Sequence, residues 1–421
     1  MASQQIGERR RPRIGAAPII LLTAALEVPA MVMRLGGIHI GTVVDTAIFG
    51  LAIVSAAFIL AWAAEAAEVE ISQALAVAFI ALIAVLPEYA VDMTFAWKAG
   101  QDPEYAPYAV ANMTGGNRLL IGLGWSFVFF LFWYRTRGKL LRLERGHSID
   151  VIALGAATAY SLTIPFKGSI SLVDTAVLAA IFVVYVIIIA RLESEEPELV
   201  GPARAVGTLP RTQRRIALLA MFLFAAVGIF LAAEPFAEGL IHTGTELGID
   251  EFLLVQWLAP LASEAPEFLV AGILAYRGRA TVAMGALLSS KVNQWTLLIG
   301  GLPVAYSASS GALDSLPLDS RQQHEVWLTA GQSAFAVAVL VSLSLEAREA
   351  IALLGLFLIQ FFIPIDGVHL AMTYVYLVLA IGIFLLNRRD IRALFAGARA
   401  ELRELAEARA RAREEVRAPP G

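Results

Sequence analysis

The sequence predicts an all-α polytopic membrane protein of about twelve transmembrane helices, arranged as two inverted halves. Three observations predict it. Of the 421 residues, 58% are hydrophobic and 16% charged, with a mean hydropathy of +0.71; that leaves too little polar surface to shell a soluble domain. Apolar stretches of about 18 residues or more, enough to cross a bilayer, recur along nearly the whole chain. Two passages resemble one another, and each carries acidic residues inside an apolar helix.

The helices are expected near residues 16–34, 43–64, 71–98, 105–134, 149–165, 170–191, 215–240, 252–276, 281–308, 325–345, 347–364 and 368–387. Residues 1–15 precede them with Arg9, Arg10, Arg11 and Arg13. The first apolar run follows without a small-residue cleavage site, so no signal peptide is expected. With that basic start in the cytoplasm, every even-numbered loop should be cytoplasmic. Those loops carry Arg135, Arg137, Lys139, Arg142 and Arg145, then Arg204, Arg211, Arg214 and Arg215, then Arg277 and Arg279, whereas odd loops are poor in Lys and Arg. The bias satisfies the positive-inside rule and puts both termini in the cytoplasm of a multi-pass inner-membrane protein.

Residues 192–214 are the one long polar break before the C-terminus and divide a first half, 16–191, from a second, 215–387. Residues 388–421 form a charged tail in which Leu394, Leu402 and Leu405 sit among Ala, Arg and Glu. A solvated amphipathic helix is one reading of it; a self-association helix making a homo-oligomer is the sharper one. The chain has no cysteine, which excludes disulfides, thiolate nucleophiles and Cys-ligated metals. Nothing in it supports a nucleic-acid role. Five scattered histidines lack ligand spacing.

The repeat is the most informative feature. The first copy (about 71–134) reads LAVAFIALIAVLPEYAVDMTFAWKAG and then YAVANMTGGNRLLIGLGW. The second (about 252–308) reads LLVQWLAPLASEAPEFLVAGILAYRG and then MGALLSSKVNQWTLLIGGL. Pro87-Glu88 and Pro266-Glu267 lie 179 residues apart and the two LLIG tetrapeptides 178 apart, so the register holds across two helices. The copies occupy helices three and four, then eight and nine. An odd start followed by an even one gives them opposite orientations, which is the architecture of secondary transporters with a site between the halves. Each proline removes a backbone donor and frees a carbonyl one turn earlier for a cation.

At these residues the chain resembles the cation/calcium exchanger superfamily, whose two alpha-repeats carry a G-[TS]-S-x-P-E-like motif and then a G-S-N-like motif. The resemblance covers roughly residues 43–364. It implies a ten-helix core in two inverted halves, a sodium/calcium exchanger-like fold, with the paired glutamates Glu88 and Glu267 as the ligands of a transported metal cation. The twelve-helix count adds one helix at each end. Ala84 and Val85 stand where the family has Thr-Ser, so hydroxyl ligands are missing there. The second copy keeps Ser263, adds Glu264, and has Lys291 where the family has asparagine; either Asn112 or Asn117 is the counterpart in the first copy.

An ionised side chain at the bilayer centre costs at least about 2.5–3.5 kcal/mol, so survivors are usually functional. Glu88 and Asp92 are four apart, and Glu264 and Glu267 three apart, so each pair shares a helical face. Joined, the faces make an oxygen-rich cluster suited to Ca²⁺ or Na⁺. Asn112, Asn117, Ser263, Ser290 and Asn293 are candidate neutral ligands, with Thr114 and Gln294 in the same polar patches. Lys291 is a candidate coupling group, expected to pair with Glu264 or Glu267. Arg118 is expected to pair with Asp92 or to bind backbone carbonyls. Glu234 and Glu238, around Pro235, suggest a vestibule or a wet helix end; Glu65, Glu68 and Glu70 suggest a loop. Gly115, Gly116 and Gly122 permit close helix packing.

The expected function is a secondary antiporter exchanging Ca²⁺ or Na⁺ against Na⁺ or H⁺. It needs no cofactor beyond the transported cation, and no partner beyond inorganic cations and the lipid bilayer. A sodium/proton antiporter using Lys291 is the alternative within the class. An intramembrane enzyme has no HExxH to support it, and a structural or receptor-like protein does not call for acids at matching positions of two inverted repeats.

Overall fold

The computed structural model describes residues 16–70, 85–191, 199 and 201–417, with side chains as far as residue 403. The expectations for residues 1–15, for the start of helix three through Ala84, for most of the stretch 192–200 and for Leu405 lie outside the described residues. A helix stands at the place of each of the twelve predicted ones. Eight spans are long and apolar enough to cross a membrane: α1 (Ala16–Gly36), α2 (Thr42–Ala67), α4 (Pro103–Thr136), α5 (Arg145–Lys167), α6 (Leu172–Ile189), α7 (Arg211–Leu247), α8 (Glu251–Tyr276) and α12 (Asp366–Leu386). The other four are α3 (Leu86–Ala99, its described part), α9 (Ala280–Asn293, Gln294–Leu298 and Ile299–Ser310 end to end), α10 (Ser320–Leu340) and α11 (Ala347–Phe362). These are shorter or carry buried polar residues: α10 lies largely in the interior, whereas α11 turns Ile351, Ile359 and Phe362 outward. A final helix, α13 (Arg388–Arg417), follows; its Leu394 and Ala398 are buried in the protein's own core.

Polar residues decide where the helices deviate. In α1 the helix stops at Ala25 and restarts at Val28, with Pro29 in the new first turn and Gly37 (φ 62°) closing it. In α4 and α9 one wide π-helical turn interrupts the α-helix, at Leu120–Trp125 and Gln294–Leu298. Both overlap an LLIG tetrapeptide, so the repeat is kept down to its helical irregularity. Such single-turn bulges gather at functional sites. Helix α7 is longer than predicted at both ends, starting at the basic residues from Arg211 and running on to Leu247. One of its faces, with Ile216, Leu219, Leu223, Val227 and Phe230, is exposed; the other, with Leu218, Met221, Ala225, Gly228 and Ile229, is buried. A membrane helix lacks a polar face and turns apolar side chains both to lipid and to protein.

Two short strand pairs join the halves. Between α4 and α5, β1 (Leu140–Arg142) pairs with β4 (Ser344–Glu346), between α10 and α11. Between α5 and α6, β2 (Ser169–Ile170) pairs with β3 (Leu316–Pro317), between α9 and α10. The first pair joins two even-numbered loops and the second two odd-numbered ones, as a twelve-span topology requires. The clasps also exchange under the five-helix repeat, since β1 corresponds to β3 and β2 to β4.

Ion pairs obey the same parity. Glu70 accepts from Arg215 Nε at 2.6 Å and Arg214 Nε at 2.7 Å, which holds the loop after α2 to the start of α7. These two arginines, Arg215 first, hold the Glu70 carboxyl below its ordinary value of about 4.5. A depressed carboxylate stabilises the fold above its unfolded pKa and loses that contribution as pH falls through the lower folded value. Amide hydrogen exchange across residues 201–215 is therefore expected to accelerate only below about pH 4.5, and Glu70→Gln to accelerate it at neutral pH. Arg34 holds Glu234 at 2.5 Å, and Lys98 holds Glu238 at 2.5 Å and Glu234 at 3.2 Å. Each acid expected at a vestibule is thus neutralised by a cation from the first half.

Candidate functional site

The two copies of the repeat meet at one cavity of about 10 Å³, room for roughly one water-sized sphere. Glu88 and Asp92 enter it from α3, Asn112, Gly116 and Asn117 from α4, Ser263 and Glu264 from α8, and Gln294 from α9. Gly115 and Gly116 let α4 and α8 close on one another. A Cβ on Gly115 would stand 1.7 Å from the Gln256 carbonyl oxygen, and one on Gly116 2.8 Å from Glu264 Oε1. That carbonyl is free for contact because Pro260, four residues on, has no N–H to offer it. Proline in α8 and glycine in α4 together set the close approach of these two helices.

Gln294 is the centre of the arrangement. Its Nε2 donates to Glu88 Oε2 at 2.8 Å and to Glu264 Oε1 at 3.2 Å, so one amide group bridges an acid from each repeat. Asn112 Nδ2 donates to Asp92 Oδ1 at 2.8 Å. Three oxygens remain: Asn112 Oδ1, Glu264 Oε2 and Gln294 Oε1 are buried and accept no hydrogen bond from any described residue. Buried oxygens without donors are costly unless something positive meets them. Among the described residues no three carboxylate or imidazole groups converge closely enough to cage a metal unaided. The neutral amides of Asn112 and Gln294 intervene.

Glu267, Ser290, Asn293 and Lys291 lie beyond this cavity's lining. Glu267 sits one turn past Glu264 with Ser290 beside it, and Asn293 Oδ1 accepts from Tyr89 at 2.9 Å. The acid sharing a donor with Glu88 is thus Glu264 rather than its repeat counterpart Glu267. The ion pair expected for Lys291 is replaced by contacts to the other repeat. Its Nζ donates to Asn117 Oδ1 at 2.6 Å and to Asn117 O at 3.2 Å, and lies 4.4 Å from the centre of the Trp295 ring. The long side chain reaches from α9 to Asn117 of α4, and that amide together with the Trp295 ring of its own helix supplies what a carboxylate would.

A family described as sodium/calcium exchanger protein matches residues 42–191 and 217–365, which begin at α2 and α7 and end after α6 and α11. The chain belongs to the sodium/calcium exchanger family. The solved structure of the H⁺/Ca²⁺ exchanger CAX superposes on it with a TM-score of 0.89 at 43% identity, covering 92% of this chain and 98% of that one. The Ca²⁺/H⁺ antiporter protein YfkE superposes with a TM-score of 0.57 at 14% identity, covering 86% and 99%, a likeness of fold alone. No curated protein matches the chain in sequence. The molecule is a multi-pass membrane cation antiporter of this family, with α1 and α12 flanking the ten helices that the two matched segments contain.

The exchanger also holds a buried network that the sequence did not announce. Arg118 turns away from Asp92 and pairs with Glu325 at 2.6 Å, while its Nε reaches the Thr114 carbonyl at 3.3 Å. Six positions separate Asn112 from Arg118, which places them on different faces of α4. Glu325 opens the helix predicted at 325–345; α10 begins at Ser320 and leaves it 2% exposed. His369, one of the five scattered histidines, contacts the same carboxylate. A buried acid and a buried histidine in two late helices were the available signal.

Proposed function

We propose that the exchanger moves Ca²⁺ against protons, both competing for the oxygens of Glu88, Glu264, Asp92 and Glu267. The observation that carries this reading is the surplus of buried acceptors: acids from both repeats face one cavity with three oxygens lacking any donor. Ca²⁺ takes six to eight oxygen ligands in flexible geometry and draws carboxylates and amide oxygens together. Protons relieve the same repulsion between neighbouring acids when the cation leaves. The cavity has too few hydroxyls for a rich set of Na⁺ ligands, with Val85 where the family carries one. The likeness to a protein described as an H⁺/Ca²⁺ exchanger, at 43% identity, supports the same choice. In this reading Asn112, Asn117, Ser263, Ser290 and Asn293 supply or position neutral oxygens. Lys291 holds α9 to α4 as a resident cation that limits how many further charges enter. Both termini lie in the cytoplasm, following the distribution of Arg and Lys.

Purified protein in liposomes with an acidic lumen is expected to accumulate radioactive Ca²⁺ and to stop when a protonophore collapses the pH gradient. A Na⁺ gradient at equal pH is expected to drive nothing. Lys291→Asn is expected to move the pH dependence of uptake. Flux of Na⁺ under the pH gradient, with Ca²⁺ excluded, would instead establish the sodium/proton alternative.

A further inference from the structure

Arg118, Glu325 and His369 make a buried chain of ionisable groups behind the cavity, drawn from α4, α10 and α12. Glu325 Oε2 lies 2.6 Å from Arg118 Nη2, and Glu325 Oε1 lies 2.8 Å from His369 Nδ1. The other ring nitrogen, Nε2, lies 3.0 Å from the backbone carbonyl of Gln360. The three groups are 0%, 2% and 2% exposed and are held by each other, by surrounding amides and, for Arg118, by the face of the Trp257 ring at 4.9 Å.

An acceptor faces each ring nitrogen of His369. A carboxylate paired with arginine and a peptide carbonyl both offer only lone pairs. A neutral imidazole carries one N–H and would set its bare nitrogen against one of these acceptors. An imidazolium donates to both. Its charged surroundings are Glu325 from α10 and, beyond it, Arg118 from α4. Helix α11 presents only the uncharged Gln360, and α12 itself carries Tyr376 and the exposed Asp366.

Glu325, from α10, in turn contacts two of the helices that line the cavity, α4 and α8. Gln256 Nε2 donates to Glu325 Oε2 at 2.9 Å, eight residues before Glu264 on α8. Arg118 directly follows Asn117 on α4, and its backbone carbonyl accepts from Gln332 of α10 at 3.2 Å. The carboxylate therefore ties α4 to α8 at the level where Gly115 meets the Gln256 carbonyl.

We propose that His369 is a positioning residue of the transport site, a protonated imidazole that fixes Glu325 between α4 and α8, two of the four helices that line the acidic cavity. Helix α12, outside both family-matching segments, is thereby a working part of the exchanger. The transport half of the proposal rests on the Ca²⁺/H⁺ reading; the charge state of the ring does not. Two measurements test it. The ¹⁵N spectrum of the protein at about pH 7.5, where a free imidazole is mostly neutral, is expected to show both nitrogens of His369 protonated, the signal being assigned by its loss in His369→Gln. In liposomes, His369→Gln is expected to raise the half-saturating Ca²⁺ about ten-fold with a smaller change in maximal rate, the scale of a lost outer-shell partner. His369→Lys, which keeps a cation against Glu325, is expected to recover most of that affinity. A bare ring nitrogen in the spectrum overturns the proposal, as does unchanged half-saturation in folded His369→Gln. If the wild type moves no Ca²⁺, the exchange reading fails. If His369→Gln does not fold, replacing the other four histidines leaves His369 as the one imidazole signal, which still decides whether the ring is charged.

Discussion

Glu88→Gln and Glu267→Gln are each expected to cut Ca²⁺ uptake by on the order of 100-fold or more while leaving the protein folded. An amide keeps the size of the side chain and loses the charge, and Ca²⁺ affinity follows the number of charged ligands. In Glu88→Gln the loss also reaches Gln294, whose amide donates to Glu88 at 2.8 Å and to Glu264 at 3.2 Å. Removing a negative charge from a crowded acidic site relieves repulsion, so thermal stability should hold or rise even as transport disappears. That opposition separates loss of a ligand from loss of fold. Glu234→Gln is the control: it weakens only the ion pairs of a half-exposed acid with Arg34 and Lys98 and should change uptake by less than about two-fold. Normal uptake by either repeat mutant would make that carboxylate structural.

Gly115→Ala is expected to be as damaging by a different route. The added methyl would sit 1.7 Å from the Gln256 carbonyl oxygen, which is backbone and unable to swing aside. Helices α4 and α8 would have to separate by more than about 1 Å to reach ordinary contact near 3.5 Å. Interiors pack too densely for that to stay local. The Gln256 side chain would be drawn from Glu325, and the shared donor between Glu88 and Glu264 would be stretched. We expect at least about a 100-fold loss of uptake, together with a fall of several degrees in the thermal midpoint in detergent. Gly355→Ala, with nothing within 4 Å of its added carbon, should be silent. Equal behaviour of the two variants would show that the α4–α8 contact is not a tight one.

The helices were legible because lipid demands it. Every backbone polar group must be satisfied inside its own helix, so length and apolarity alone mark the spans. The repeat was legible because its Pro-Glu and LLIG landmarks keep the same spacing in both copies to within one residue. The pairing of charges was not legible. Glu264 and Glu267 are three apart on one face, and which of them turns to Glu88 depends on how α8 is rotated and bent around Pro260 and Pro266. Arg118 meets Glu325, 207 positions away, and no local spacing advertises such a partner. Lys291 illustrates the opposite error. An extra acid and an extra base in one repeat suggested a pair, yet the lysine reaches across to the other repeat, and its hydrogen bonds satisfy it there.

The two strand pairs set a mechanical limit on how the molecule exposes its cavity to one side and then the other. β1 stitches a first-half loop to a second-half loop on one face of the membrane, and β2 with β3 does the same on the opposite face. Helices α5 and α10 are stitched at both ends, and α4, α6, α9 and α11 at one end each, so the six form a girdle. Two halves joined above and below cannot rock open like a book, because the hinge on either face would have to tear backbone hydrogen bonds to move. The remaining freedom is for unstitched helices to slide along their own axes past a stationary ring. A disulfide placed across the Arg142–Ser344 register would tighten the girdle without arresting such a slide.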